Sequence, residues 1–140
     1  MSARVLTPAE CRALVARKSV GRVVYTDQAL PTALPVNYAV SGNDIVFRTD
    51  PKGRLAATAA RGTVLAFQVD EIDDAAEAGW SVLLVGLAER ITAAADIARA
   101  DGLGIVSWAS TDGESVYIRI PMARIDGREV QRDAPVLRLA

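Results

Sequence analysis

Pro35-Val36-Asn37-Tyr38 and, one turn later, Phe47-Arg48-Thr49-Asp50-Pro51-Lys52-Gly53-Arg54-Leu55 are the stretches that decide how this chain folds. The first lies in an apolar strand spanning about 32–40. Ser41-Gly42-Asn43-Asp44 has the composition of a tight hairpin turn, and Ile45-Val46-Phe47-Arg48 is the returning strand. Pro51-Lys52-Gly53 then opens a short Ala-rich helix over 54–60, which Arg61-Gly62 closes. Two neighbouring strands give a flat ring a surface and backbone groups to lie against. A cationic turn at a helix start gives a phosphate tail an anchor. A ring held at one end and a phosphate at the other describe a flavin-like cofactor.

Working outward, Thr7-Pro8-Ala9-Glu10 has the pattern of a capping box with Pro at the first helical position. The helix it starts is expected to reach about Lys18, with Cys11, Leu14 and Val15 on the apolar face and Gly21 ending it. Strands are expected at 22–26 and 64–69. A longer one at 80–91 has Gly86 near its middle as a bend or bulge. Residues 70–79 are acidic and Ala-rich, so a loop or helical turn is expected there. Thr92 is the expected N-cap of a helix over 92–100. Val116, Ile118 and Ile120 alternate with Tyr117 and Arg119 as a half-buried strand. That strand is expected to continue past a kink through Pro121 to Ile125 and turn at Asp126-Gly127. A tail from Arg128 to Ala140 follows and packs on the body or on a partner. Antiparallel apolar strands with short helices between them indicate a mainly β single domain over 1–140, a small barrel rather than a parallel α/β sheet.

Composition bounds the chemistry. The 140 residues are 51% hydrophobic and 24% charged, which suits a compact folded chain. Sixteen basic and seventeen acidic residues leave a net charge of -1, so there is no electrostatic case for nucleic acid. No window approaches the ~20 apolar residues a membrane-spanning helix needs, so no membrane partner is expected. One cysteine, Cys11, rules out an internal disulfide and suits a reducing, cytoplasmic setting. The chain has no His. Ser-His-Asp and Cys-His catalysis are therefore unavailable within it, and a metal site is not expected. Chemistry, if any, comes from a borrowed cofactor.

The order of these motifs brings a family into view. The capped helix, Gly21-Arg22-Val23, Pro35-Val36-Asn37-Tyr38, Val46-Phe47-Arg48-Thr49, Lys52, Leu55, Val69-Asp70, then Gly79-Trp80-Ser81-Val82 with Gly86 resemble the pyridoxamine 5'-phosphate oxidase-like, flavin-binding split β-barrel proteins. The series spans roughly residues 5–127. That resemblance implies a six-stranded antiparallel split β-barrel, a homodimer, and two flavins in grooves at the subunit interface. Under it, Pro35, Val36, Asn37 and Tyr38 look like the strand along the isoalloxazine ring. Arg48 and Thr49 look like the strand end reaching the ribityl or phosphate region. Lys52 and Arg54 look like phosphate clamps with Leu55 packing beneath, and Trp80 and Ser81 like a segment near the flavin from the partner subunit.

The residues themselves leave several roles open. Arg48, Lys52 and Arg54 either cradle a phosphate around Gly53 or are solvated charges paired with Asp50. Asn37 either bonds a flavin edge or satisfies neighbouring backbone. Tyr38, one position on, faces core or dimer interface. Trp80 stacks at a ring or plugs the barrel mouth, and Trp108 lines a substrate pocket or is buried in an interface. No side chain is assigned a catalytic role. The function expected is an FMN-dependent oxidoreductase of a small electrophilic substrate. The alternatives are a deazaflavin-dependent reductase and a non-catalytic flavin-binding or cofactor-free dimer.

Overall fold

A computed structural model describes residues 2–107 and 113–132. Trp108 and the tail beyond Arg132 lie outside the described residues. In chain order the elements are β1 (Ser2–Val5), α1 (Pro8–Ala16), β2 (Val20–Asp27), β3 (Leu30–Ser41), β4 (Asp44–Thr49), α2 (Arg54–Ala60), β5 (Val64–Asp73), β6 (Ala78–Leu87), β7 (Glu89–Arg90), α3 (Ala94–Asp101), β8 (Val116–Pro121) and β9 (Arg124–Gln131). The strands pair antiparallel throughout, in the order β1-β9-β6-β5-β2-β3-β4-β8-β7.

The mainly β, antiparallel expectation holds, but the count of six strands does not: nine strands occur among the described residues. Residues 70–79 are not a loop. β5 runs on to Asp73 and β6 starts at Ala78, pairing from Val64↔Leu87 to Asp73↔Ala78. The expected strand across the Pro121 kink is two strands. β8 pairs with β4, whereas β9 pairs with β6, so the chain changes partner at Met122-Ala123. Asp126-Gly127 lies inside β9 rather than at a turn. α1 stops at Ala16, short of Lys18, and Gly21 belongs to β2 instead of ending the helix. The N-cap of α3 is Ala93 rather than Thr92, with no side-chain bond. β1 and β7 complete the count, one fully exposed and the other two residues long.

The alternating inward residues of the strands build one core, including Val23, Ile45, Phe47, Phe67, Leu84 and Ile118. Phe67 sits at its centre, edge-on to Tyr38 at 5.1 Å and near-parallel to Phe47 at 6.1 Å. Its ring needs Gly21, where an added Cβ would fall 2.3 Å from Phe67 Cε1. The capping box of α1 forms as expected: the Thr7 hydroxyl accepts from the Glu10 N–H, and the Glu10 carboxylate accepts from the Thr7 N–H. Cys11 and Val15 then face inward, and the Tyr38 hydroxyl donates to the Val15 carbonyl. A smaller apolar cluster of Val46, Ile91, Ala100, Ile105 and Tyr117 fixes α3 to the outer face of β4 and β8.

No barrel ladder joins β6 to β8. They meet at Gly86, where an added Cβ would lie 2.0 Å from the Pro121 carbonyl oxygen. Gly86→Ala is therefore expected to cost at least about 2 kcal/mol, because backbone rather than a flexible side chain must move. Urea denaturation checks this, and an unchanged midpoint contradicts it. The Thr7 N–H and then Arg4 hold the Glu10 carboxyl below its ordinary pKa. A depressed acid stabilises above its unfolded value and stops doing so as pH falls through its folded one. The stability gap between the wild type and Glu10→Gln should accordingly be open at neutral pH and close in acid. Denaturation midpoints across that range measure it; a constant gap contradicts it.

Candidate functional site

Two of the segments singled out in the sequence, 35–38 and 48–55, adjoin the point where β3 and β4 part. β3 pairs with β2 from Leu30 through Asn37. With β4 it pairs only from Tyr38 to Ser41. Beyond Phe47, β4 holds on to β8 alone, Arg48 opposite Tyr117 and Thr49 opposite Val116. Pro35-Val36-Asn37 and Arg48-Thr49 are thus the two lips of a split between strands that are neighbours elsewhere, and the chain runs from the second lip through Asp50-Gly53 into α2.

Strand periodicity sorts these residues by face. Val36 and Tyr38 point inward and are buried, and burial pushes the Tyr38 hydroxyl pKa up. Pro35 is exposed and Asn37 half-buried on the opposite face. Thr49 is buried at the inner end of β4, and Leu55 is buried in the core beneath the loop. The loop is shaped by Asp50. Its carboxylate accepts the Lys52 N–H at 2.9 Å, and its carbonyl accepts the Gly53 N–H at 3.1 Å. Lys52 is exposed with no ion pair for its ammonium among the described residues. Arg54 is exposed and reaches Asp27 of β2, with Nε 3.3 Å from Oδ2. Gly53, the N-cap of α2, offers no side-chain cap.

Arg48 goes elsewhere. Alternation with Phe47 and Thr49 turns its side chain to the outer face, toward α3. Nε donates to Ser115 Oγ at 2.8 Å and Nη1 to the Ile105 carbonyl at 2.9 Å, and the guanidinium stands 5.4 Å from the Tyr117 ring centroid. The Tyr117 hydroxyl donates to Asp101 at 2.7 Å. Burial and that bond raise the Tyr117 pKa. Arg48 lines a cavity of about 310 Å³ beside α3, with Arg90, Thr92 and Ser115. Sequence reading missed this second constellation. The signal was present in the period of two, which puts Arg48 and Thr49 on opposite faces.

Trp80 and Ser81 lie on β6, opposite Glu71 and Asp70 of β5. They line another cavity of about 310 Å³ with Ile72, Arg128 and Val130. Within one chain β5 and β2 stand between β6 and β3 in the ladder order, and the cavity at Trp80 takes no lining residue from β3 or β4.

Known proteins resemble this chain in sequence and in fold. An uncharacterized protein of Mycobacterium tuberculosis, Rv0080, is 34% identical over 94 residues, which span 64% of this chain and 62% of that protein. The FAD binding protein from Mycobacterium smegmatis is 27% identical, with a TM-score of 0.78 over 91% of this chain and 100% of its own. A FAD-binding protein from Mesorhizobium loti has the same fold at 23% identity, with a TM-score of 0.75 over 92% of this chain and 97% of its own. The sequence profile of the pyridoxamine 5'-phosphate oxidase family matches residues 7–129. By that match, which takes in the capped helix, both lips of the split and most of β9, the chain belongs to the pyridoxamine 5'-phosphate oxidase family.

Proposed function

We propose that this chain is a flavin-dependent oxidoreductase of a small electrophilic substrate, acting as a homodimer with FMN between the subunits. The observation that carries the reading is the parting of β3 from β4 beside a loop whose Lys52 has no ion pair among the described residues. The residues fit a phosphate-tailed ring. Lys52 and Arg54 flank a helix start without a side-chain cap, so an anion there gains charge-assisted hydrogen bonds. Pro35 and Asn37 present the outward face of β3 to the ring, while Val36 and Tyr38 anchor that strand from inside. Thr49 and Leu55 hold the loop in place from the core, and Arg48 contributes its backbone at the open strand end.

A bound flavin supplies hydride or electron transfer, so a chain without His needs no nucleophile of its own. FAD shares the riboflavin phosphate of FMN, and the FAD binding protein of Mycobacterium smegmatis keeps it close as the alternative. A deazaflavin's longer acidic tail would call on Arg17, Lys18, Arg22 and Arg61 together. Two of the four are already engaged, Lys18 with Glu71 at 3.6 Å and Arg22 with Asp70 at 3.4 Å, which favours the simpler flavins.

A second copy explains two further features. It would bring Trp80 and Ser81 to a split from which β5 and β2 separate them in the ladder of one chain. It would also cover an apolar row on the outer face of β5 and β6, where Val64 opposes Leu87, Ala66 opposes Val85, and Leu83 is 42% exposed. The lone buried Cys11 suits a reducing cytoplasm.

Two outcomes test the reading. Lys52→Ala with Arg54→Ala should weaken riboflavin 5'-phosphate binding by about 3 kcal/mol, roughly a hundredfold in Kd. Fluorescence titration measures this, and an unchanged Kd removes the loop from the site. Leu83→Asp, which places a charge in the apolar row, should convert the dimer to monomer by light scattering and weaken flavin binding with it. A dimer of undiminished stability would place the interface elsewhere.

A further inference from the structure

The geometry points to a binding site for a small organic carboxylate in the cavity between α3 and the outer face of β4 and β8. This goes beyond the flavin reading and does not rest on it, since neither Lys52 nor Arg54 lines the cavity. Its charge is unbalanced. Arg48 is half-buried, yet its two hydrogen bonds go to neutral oxygens, Ser115 Oγ and the Ile105 carbonyl. It has no carboxylate partner among the described residues. Arg90, at the other wall, makes no ion pair among the described residues either. The lining also holds one carboxylate, Asp101, which accepts the Tyr117 hydroxyl, so Arg48 and Arg90 leave it with one positive charge in excess. A partly desolvated guanidinium with free N–H groups is costly unless an anion meets it. Here the half-buried Arg48 and the exposed Arg90 border one space, together with Thr92.

The remaining walls identify the rest of the ligand. Ile91, Ile97 and Val116 give the cavity an apolar side, which an inorganic ion would leave unfilled. At about 310 Å³ the space suits a compact molecule with one ring or a short branched chain. Planar guanidinium groups match a carboxylate by paired N–H donors. The class is therefore an amphipathic monocarboxylate, with its head toward Arg48 and Arg90 and its body against the isoleucines.

Isothermal calorimetry on the protein as purified, with benzoate and inorganic phosphate as probes, tests this. Benzoate should bind saturably at one site per chain. Arg90→Gln, a change at an exposed side chain, should weaken it about tenfold, the worth of one charge-assisted hydrogen bond. Thr92→Val should weaken it less, and both variants should leave riboflavin 5'-phosphate binding intact. Absence of saturable benzoate binding overturns the proposal. So does phosphate binding in its place, or benzoate affinity that survives both substitutions.

Discussion

β3 changes partners between Asn37 and Tyr38, and the rest of the structure is arranged around that change. Before it the strand belongs with β2; after it, with β4. Tyr38 stands at the hinge. Its N–H donates to the Ser19 carbonyl at 3.0 Å, its hydroxyl to the Val15 carbonyl, and its ring packs on Phe67. One buried residue thereby ties α1, β2 and the central aromatic to the point where two sheets separate. A buried hydroxyl is tolerable because α1 ends beside it, where the Val15 carbonyl, which accepts the Lys18 N–H at 3.4 Å, takes the hydroxyl as well. Backbone groups beyond the hinge lose a neighbouring strand on one side, and that is what makes the split a place where something else can bind.

The two lips are held rigid by different means. The Pro35 lip is stiffened by proline and by inward Val36 and Tyr38. The Arg48 lip is fastened to β8 and then, through its guanidinium, to Ser115 and the segment after α3. Arg48 is thus a brace for the outer layer while its neighbour Thr49 is packed into the core. The cations left for solvent, Lys52 and Arg54, follow within one turn. Arg54 leans on Asp27, at the end of the β2–β3 hairpin whose turn residues Gln28 and Ala29 both have positive φ. Exposed pairs of this kind contribute little to stability. Their value lies in where they hold the charge.

Much of this was legible in the sequence because it is local. The capping box, the Gly42-Asn43 hairpin and the helix 54–60 depend on residues within one turn of each other, and the structure has all three. What was hidden depends on distant partners. The acidic stretch after Val69 carries no apolar alternation, yet Asp70 and Glu71 sit in β5 because β6 pairs with them and because Arg22 and Gln68 bond the Asp70 carboxylate. Met122-Ala123 looks like a kink, but Gly86 and the Asn43 carbonyl, which accepts the Met122 N–H at 2.8 Å, turn it into a switch between sheets. β1 has no buried face to give it a pattern. The candidate site divides along the same line: the loop cations and the Pro35 lip are local features, whereas the direction of Arg48 and the place of Trp80 in the ladder follow from strand order.

Hydrogen–deuterium exchange with and without riboflavin 5'-phosphate tests the central claim most directly, because it reports on every backbone segment at once. New protection should appear at 35–38 and 48–55, with a weaker band at 79–81 contributed across the subunit interface. Protection confined to other segments, or none while the ligand is demonstrably bound, would contradict the account.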